Sequence, residues 1–247
     1  MTNDFDRHKF DIIDSTNDYL QRLLYANEYD SNKKYLVISK SQTNGHGSKG
    51  RSFLSEKDVG IYFSLLLFYE NNKLNDNNLD INDFISYLTP NVCVSIKKCF
   101  KKLFDIDLSI KWVNDLYYHN KKVVGILCKH FPDKNAIVVG IGIDLYENKN
   151  LVIELKDIVG YIFDDKIEES AIDNLIISIA DNIVEDLYIG KIKKEYFDHN
   201  LVIDKKIRIN DRFGKAVSIN EKGHLIVDID GEKKEVDNTN IEILYKG

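Results

Sequence analysis

The chain has 247 residues, 43% apolar and 30% charged, with 40 acidic against 34 basic residues and a net charge of −6. These values describe one large globular domain, or one domain with a small appendage, and exclude a disordered chain and a general nucleic-acid footprint. No apolar run approaches membrane-spanning length, no secretory pattern opens the chain, and Cys93, Cys99 and Cys128 lack metal-like spacing. The expectation is a soluble cytoplasmic protein with buried free thiols and neither a DNA nor a membrane partner.

In chain order, Asp14-Ser15-Thr16-Asn17 precedes Tyr19, Leu20, Leu23 and Leu24, which predicts a capped amphipathic helix. Residues 35–39 predict a short strand that feeds a glycine-bearing loop at 43–50. A second strand follows at 60–68, and the asparagines and aspartates crowding 71–83 predict a surface excursion. Thr89-Pro90 predicts the cap and first turn of a helix carried on by Val92, Ile96, Cys99, Phe100 and Leu103. Strands are expected at 108–112, at 116–118 paired with 123–128 across His119-Asn120, and at 136–145 in the sheet centre.

Ile172, Leu175, Ile176, Ile179, Ile183 and Leu187 mark one face of a long helix over 169–188. Beyond Asn200 the pattern changes to short alternating segments at 206–209, 216–219, 225–229 and 241–244, punctuated by Lys222-Gly223 and Asp230-Gly231. The fold class is therefore α+β. A mixed sheet with helices packed on one side spans residues 1–200, and a small β-barrel spans 201–247.

Three segments hold small and polar residues where a core has no need of them. Gln42-Thr43-Asn44-Gly45-His46-Gly47-Ser48-Lys49-Gly50-Arg51-Ser52-Phe53 combines bare backbone with positive charge, which suits an anion such as phosphate; a solvated turn is the plain alternative. Lys111-Trp112-Val113-Asn114-Asp115-Leu116 offers a cation beside a carboxamide and a carboxylate able to hold Mg²⁺, or else an Asx turn. Gly125, Gly140 and Gly142 lie inside strands, where they either line a slot for an apolar ligand or admit a close helix contact.

Taken together and in order, these motifs resemble the biotin protein ligases. The resemblance runs through Asp14-Ser15-Thr16-Asn17, the glycine loop, Lys111 to Leu116, Lys122-Val123-Val124-Gly125-Ile126-Leu127 and Gly140-Ile141-Gly142-Ile143-Asp144, and the tail is similar to that family's SH3-like barrel. It implies that biotin and Mg·ATP give biotinyl-5′-adenylate, and that a lysine of a carboxylase's biotin carboxyl carrier domain then takes the biotinyl group. Lys122, supported by Lys111 and Arg51, is implied as the catalytic cation set. Ser15, Thr16, Asn17, Gln42, Gly45, His46, Lys122 and Gly125 are implied to bind biotin. Gly47, Ser48, Lys49, Gly50, Arg51, Phe53, Asn114, Asp115 and Asp144 are implied at the ATP and adenylate end, with Asp115 on Mg²⁺.

The family usually carries arginine at the positions of His46 and Ser48, proline at Val113 and asparagine at Asp144. The first motif begins at Asp14, so the N-terminal DNA-binding domain of some members is not expected here. The family's self-association through an exposed strand makes a homodimer an expectation, although no residue here carries it. Two alternatives stay open: a lipoate or octanoate ligase of the same architecture, and a non-catalytic biotin-binding homologue.

Overall fold

The computed structural model describes residues 4–198, 200–209, 211–237 and 241–244, with only the backbone of Lys49. Strands β1 (Phe5–Phe10), β2 (Lys34–Ser39), β3 (Gly60–Phe68), β4 (Ser109–Lys111), β5 (Asp115–Tyr118), β6 (Lys121–Phe131) and β7 (Ala136–Asp144) build the main sheet. Their order is β1-β2-β3-β7-β6-β5-β4. The β1–β2 pair is parallel and the other pairs are antiparallel. Strand β7 is central and buried along its whole length, which fits its near-continuous run of apolar and small residues. His119 and Asn120 turn the chain between β5 and β6 with positive φ, as the hairpin reading requires.

Helix α1 (Thr16–Ala26) is capped by Ser15, whose Oγ accepts from the Asp18 amide at 3.3 Å, and it ends at Asn27 in the left-handed region. The remaining helices are α2 (Asn71–Asp76), α3 (Ile81–Phe104), α4 (Ile153–Lys156), α5 (Glu169–Glu185) and α6 (Lys194–Asp198). The long helices α3 and α5 share one face of the sheet, as expected, in a cluster with Phe63, Leu65, Val139 and Ile141. The shorter α1 adds cover on the opposite face, where Leu20 and Leu24 meet Val37, Leu66 and Val138. Strand alternation assigns the even-numbered residues of β3 and β7 to the α1 face.

Three sequence expectations change. Thr89 and Pro90 lie inside α3; the helix is capped nine residues before Thr89 by Asp80, which accepts from the Asn82 amide at 2.8 Å. The apolar stripe through Phe84, Leu88 and Val92 outweighs the one helical hydrogen bond that proline cannot make. The region 71–83 accordingly contains α2 and the first turn of α3. Strand β1 was not expected at all, because its charged residues mask its alternation.

The C-terminal module expected from the sequence is a second, entirely antiparallel sheet of five strands: β8 (Lys206–Ile209), β9 (Arg212–Ile219), β10 (Leu225–Ile229), β11 (Glu232–Val236) and β12 (Ile241–Ile243), in the order β11-β10-β9-β8-β12. Its Ile207, Ala216, Leu225 and Val227 join the same apolar cluster as α3 and α5. Trp112 is the strut between the sheets: its Nε1 donates to Gly223 O at 2.8 Å and its amide to Asn200 Oδ1 at 3.0 Å. Among the described residues no helix is long and apolar enough to cross a membrane. Cys93, Cys99 and Cys128 are free; the first two are buried and Cys128 is half-buried.

Candidate active site

One cleft of about 320 Å³ opens on the α1 face of the sheet, between the N-terminus of α1, the glycine loop and the ends of β6 and β7. Of the residues singled out in the sequence, Ser15, Thr16, Asn17, Gln42, His46, Gly47, Ser48, Arg51, Phe53, Lys111, Asn114, Asp115, Lys122, Gly125 and Asp144 all line it. Gly45 and Gly50 do not. Gly45 is buried beneath the loop, where a Cβ would stand 2.5 Å from Phe53 O, and Gly50 turns the chain with φ 72°. The side chain of Lys49 lies outside the described part of the chain.

The inner end is a dense polar network. Gln42 Oε1 accepts from the Thr16 amide at 2.8 Å and from Thr16 Oγ1 at 3.1 Å, and its Nε2 donates to Ser55 Oγ at 2.8 Å. Thr16 Oγ1 also lies 2.7 Å from Ser64 Oγ, which donates to Asn17 Oδ1 at 3.0 Å. Ser15, Thr16 and Asn17 are buried here because they begin α1 and therefore expose amides and capping oxygens at the sheet. Such groups recognise a ligand head with both donors and acceptors.

The strand glycines form the floor. Gly125 and Gly142 are direct partners across β6 and β7, and the Phe53 ring lies on this bare patch. A Cβ on Gly142 would stand 2.4 Å from Phe53 Cε1, and one on Gly125 would stand 2.7 Å from Cε2. Gly140 admits the Asn17 carboxamide in the same way, at 2.3 Å. Both alternatives read from these glycines meet here: side chains approach the backbone closely, and the surface so made lines the cleft.

Charge gathers toward the outer end. Lys122 Nζ lies 2.7 Å from Asp115 Oδ1. Asp115 Oδ1 is itself shielded from solvent, so the Lys122 ammonium is its close partner. Lys111 donates to Tyr117 OH at 3.2 Å. Its ammonium is held below the usual lysine range, chiefly by burial, with Lys122 and Arg51 adding to the depression and Asp115 opposing it. Three cations near one carboxylate make a place where an added anion relieves repulsion. Asp144, at the end of β7, is only 8% exposed, and burial pushes its carboxyl up to about 7 against the pull of Lys122.

The loop above the cleft is tied down by contacts of His46, Ser48 and Arg51. His46 Nε2 lies 2.7 Å from Asp18 Oδ2 on α1. Arg51 donates to Ser48 O at 3.2 Å and to Ser48 Oγ at 2.8 Å. The Trp112–Val113 peptide is cis, and Asn114 Nδ2 donates to Ile126 O at 2.7 Å, which fixes the turn that carries Asp115.

The sequence reading missed one wall. Tyr146, Asn148, Leu151, Leu155, Ile158, Val159 and Gly160 border the outer cleft, and the Lys122 amide donates to Ile158 O at 2.8 Å. The apolar run Leu151-Val152-Ile153 amid charges, with neither strand nor long-helix periodicity, was the available signal.

The model of the biotin/lipoate A/B protein ligase family matches residues 9–145, more than half of the chain and all of the cleft-bearing motifs up to β7. The chain belongs to that family. The bifunctional ligase/repressor BirA of Bacillus subtilis strain 168 is 26% identical over 248 residues, covering 94% of this chain and 72% of its own. Escherichia coli K12 BirA is 28% identical over 138 residues, 54% of this chain and 39% of its own. Among solved structures, the Aquifex aeolicus biotin protein ligase in complex with biotin and ATP superposes with a TM-score of 0.73 at 22% identity, over 96% of this chain and 99% of its own. The Helicobacter pylori biotin acetyl coenzyme A carboxylase synthetase with bound biotinylated ATP gives 0.61 at 21% identity, over 94% and 100%. These neighbours share the α+β fold of this family member.

Proposed function

We propose that the chain is an ATP-dependent biotin protein ligase. It forms biotinyl-5′-adenylate from biotin and Mg·ATP and then transfers biotin to a lysine of a biotin carboxyl carrier domain, such as that of acetyl-CoA carboxylase. The observation that carries this reading is the cleft's polarity: a neutral donor–acceptor network at one end and the Lys111, Lys122 and Arg51 cations at the other, joined by an apolar floor. Biotin has that distribution, with a ureido head, an apolar body and a terminal carboxylate.

In the first step the carboxylate oxygen attacks the α-phosphorus and pyrophosphate leaves. Both reactants are anionic, so their approach needs positive charge already in place. Lys122 and Lys111 supply it, and each charge-assisted hydrogen bond contributes about 1.5–3 kcal/mol. Thr16, Gln42 and the Ser15 and Asn17 side chains hold the ureido head. Gly47 to Arg51 close over the acyl phosphate and keep water away. Phe53 and the segment from Tyr146 to Gly160 take the adenine side.

Asp115, a half-buried carboxylate in the cleft lining, would hold a Mg²⁺ ion. Among the described residues there is no cluster of three or more metal-ligating side chains that would cage a metal alone. The bound ion supplies charge neutralisation of the departing pyrophosphate. In the second step the carrier's lysine amine attacks the acyl carbon and AMP leaves, so no enzyme nucleophile is used. Residues 1–200 carry this chemistry, with 201–247 as the appended module.

The test is biotinylation of a purified carrier domain by wild type and by Lys122→Met and Thr16→Val variants, read by streptavidin blotting. Labelling that requires ATP and is lost in Lys122→Met supports the reading. Carrier left unlabelled by folded wild type with biotin and Mg·ATP overturns it.

A further inference from the structure

Asp144 stands out among the cleft residues because its nearly buried carboxyl, only 8% exposed, opens on the cleft and makes no hydrogen bond among the described residues. The titratable groups facing it are few. Lys122 on β6 is the cation that acts on it. Tyr62 on β3 is the other neighbour, and its hydroxyl is committed to Glu56 O at 3.1 Å. Burial also drives the Tyr62 phenol upward, aided by Asp144 and Glu56, so it stays neutral.

Lys122 is thus shared: it touches Asp115 at 2.7 Å, and its charge also pulls the Asp144 carboxyl downward against burial. A ligand carboxylate or phosphate placed on Lys122 withdraws part of that pull and brings a new negative charge into the same buried space. The cheapest response is a proton on the Asp144 carboxyl, because a neutral acid loses little by burial and can donate to the arriving anion.

We propose that Asp144 takes up a proton when an anionic group settles on Lys122, so that anion binding in this cleft weakens as pH rises. The proton comes from solvent, no covalent bond changes, and the ligand's own charge is unaltered. The sign follows from linkage. Below the free-state titration Asp144 is protonated with or without ligand, and affinity is flat. Above it, binding must bring in a proton, and each unit by which the ligand raises the carboxyl's titration point weakens binding about tenfold at the alkaline limit. An asparagine at this position would confer no such dependence. The inference rests on the ligase reading only in taking an anion to Lys122.

The test is calorimetric titration of biotin, and separately of sulfate, into wild type and Asp144→Asn between pH 6 and 9, in two buffers of different ionisation enthalpy. Both probes keep constant charge across this range. The expected result is net proton uptake and a dissociation constant rising about tenfold or more by pH 9 in wild type, with neither in Asp144→Asn. Isotope-edited infrared spectra of wild type labelled at aspartate carboxyls give a second readout that needs no variant: a protonated-acid band gained on adding biotin at pH 7.5. Biotin binding without pH dependence, or with the same dependence in Asp144→Asn, overturns the proposal while leaving the ligase reading in place. Sulfate binding with proton uptake but no biotin binding overturns the ligase reading and supports the proposal. Failure of both probes to bind a folded sample overturns both.

Discussion

Replacing Gly142 by alanine probes how the cleft floor is built. A Cβ there would stand 2.4 Å from Phe53 Cε1 and 2.6 Å from Cζ, so either the ring or the strand must move. The strand is central and buried, with Gly142 paired to Tyr62 on one side and Gly125 on the other, so the half-buried ring is the part that yields. Overpacking of this kind costs about 1–3 kcal/mol, set against about 0.5–1 kcal/mol gained when alanine replaces a strand glycine. The expected net effect is a loss of up to about 2.5 kcal/mol by these two figures. In a Phe53→Ala background the clash is gone and the same substitution becomes neutral or stabilising, so the pair couples by about 1–3 kcal/mol. Urea unfolding followed by the fluorescence of Trp112, the only tryptophan, measures all four corners of the cycle. An equal cost of Gly142→Ala in both backgrounds would refute the reasoning, since it would mean that the ring is not what the glycine accommodates.

The loop ties give a kinetic prediction. His46→Ala removes the contact with Asp18, and by the usual worth of a half-exposed pair, about 0.5–1 kcal/mol, release of a bound acyl-adenylate should quicken roughly two- to fivefold. Ser48→Arg should slow the same release, measured by filtration of labelled adenylate, and an unchanged rate in both variants contradicts the loop's role. Trp112→Phe leaves Gly223 O without its buried donor and should destabilise the protein by about 1–3 kcal/mol, seen as a lower calorimetric Tm. Asp144 predicts the pH dependence of stability. Its carboxyl titrates at about 7 when folded against 3.8 as a model group, so the folded state holds the extra proton. Stability from this group is therefore present below about pH 4, falls as pH climbs to about 7 and levels off above. Denaturant midpoints of wild type and Asp144→Asn should converge in acid and separate at pH 8 with the variant more stable; parallel curves would contradict the assignment.

Much of the architecture is legible wherever one residue pattern meets one physical demand. The run from Ala136 to Asp144 has no polar alternation because both its faces are covered, and it is the central strand. The Ser15 cap, the His119-Asn120 turn and the α5 stripe read directly for the same reason. Strand β1 is hidden because one face of Phe5–Phe10 carries Asp6 and His8, and His8 spends its polarity on Tyr19 OH at 2.9 Å, a partner distant in sequence. Pro90 misleads because local helix chemistry places proline in a first turn, while the packing of α3 against α5 decides otherwise. Strand β11 is masked by Glu232, Lys233, Lys234 and Glu235, a run of charges on an edge that needs little burial.

The candidate site was legible to the extent that its motifs are contiguous. The Thr16–Gln42 contact and the Lys122–Asp115 pair each join motifs that the sequence keeps apart. What no motif announced is the seat of Phe53. A ring in the loop and two glycines on different strands acquire meaning only once β6 and β7 align Gly125 with Gly142. The wall from Tyr146 to Gly160 was missed because it supplies shape and apolar surface, not reactive groups.

Mass spectrometry of the purified protein incubated with Mg·ATP and an equal mixture of biotin, lipoate and octanoate tests the central claim most directly. The account predicts a biotinyl-adenylate peak alone. A lipoyl or octanoyl adenylate, or no adenylate at all from a folded sample, would contradict it.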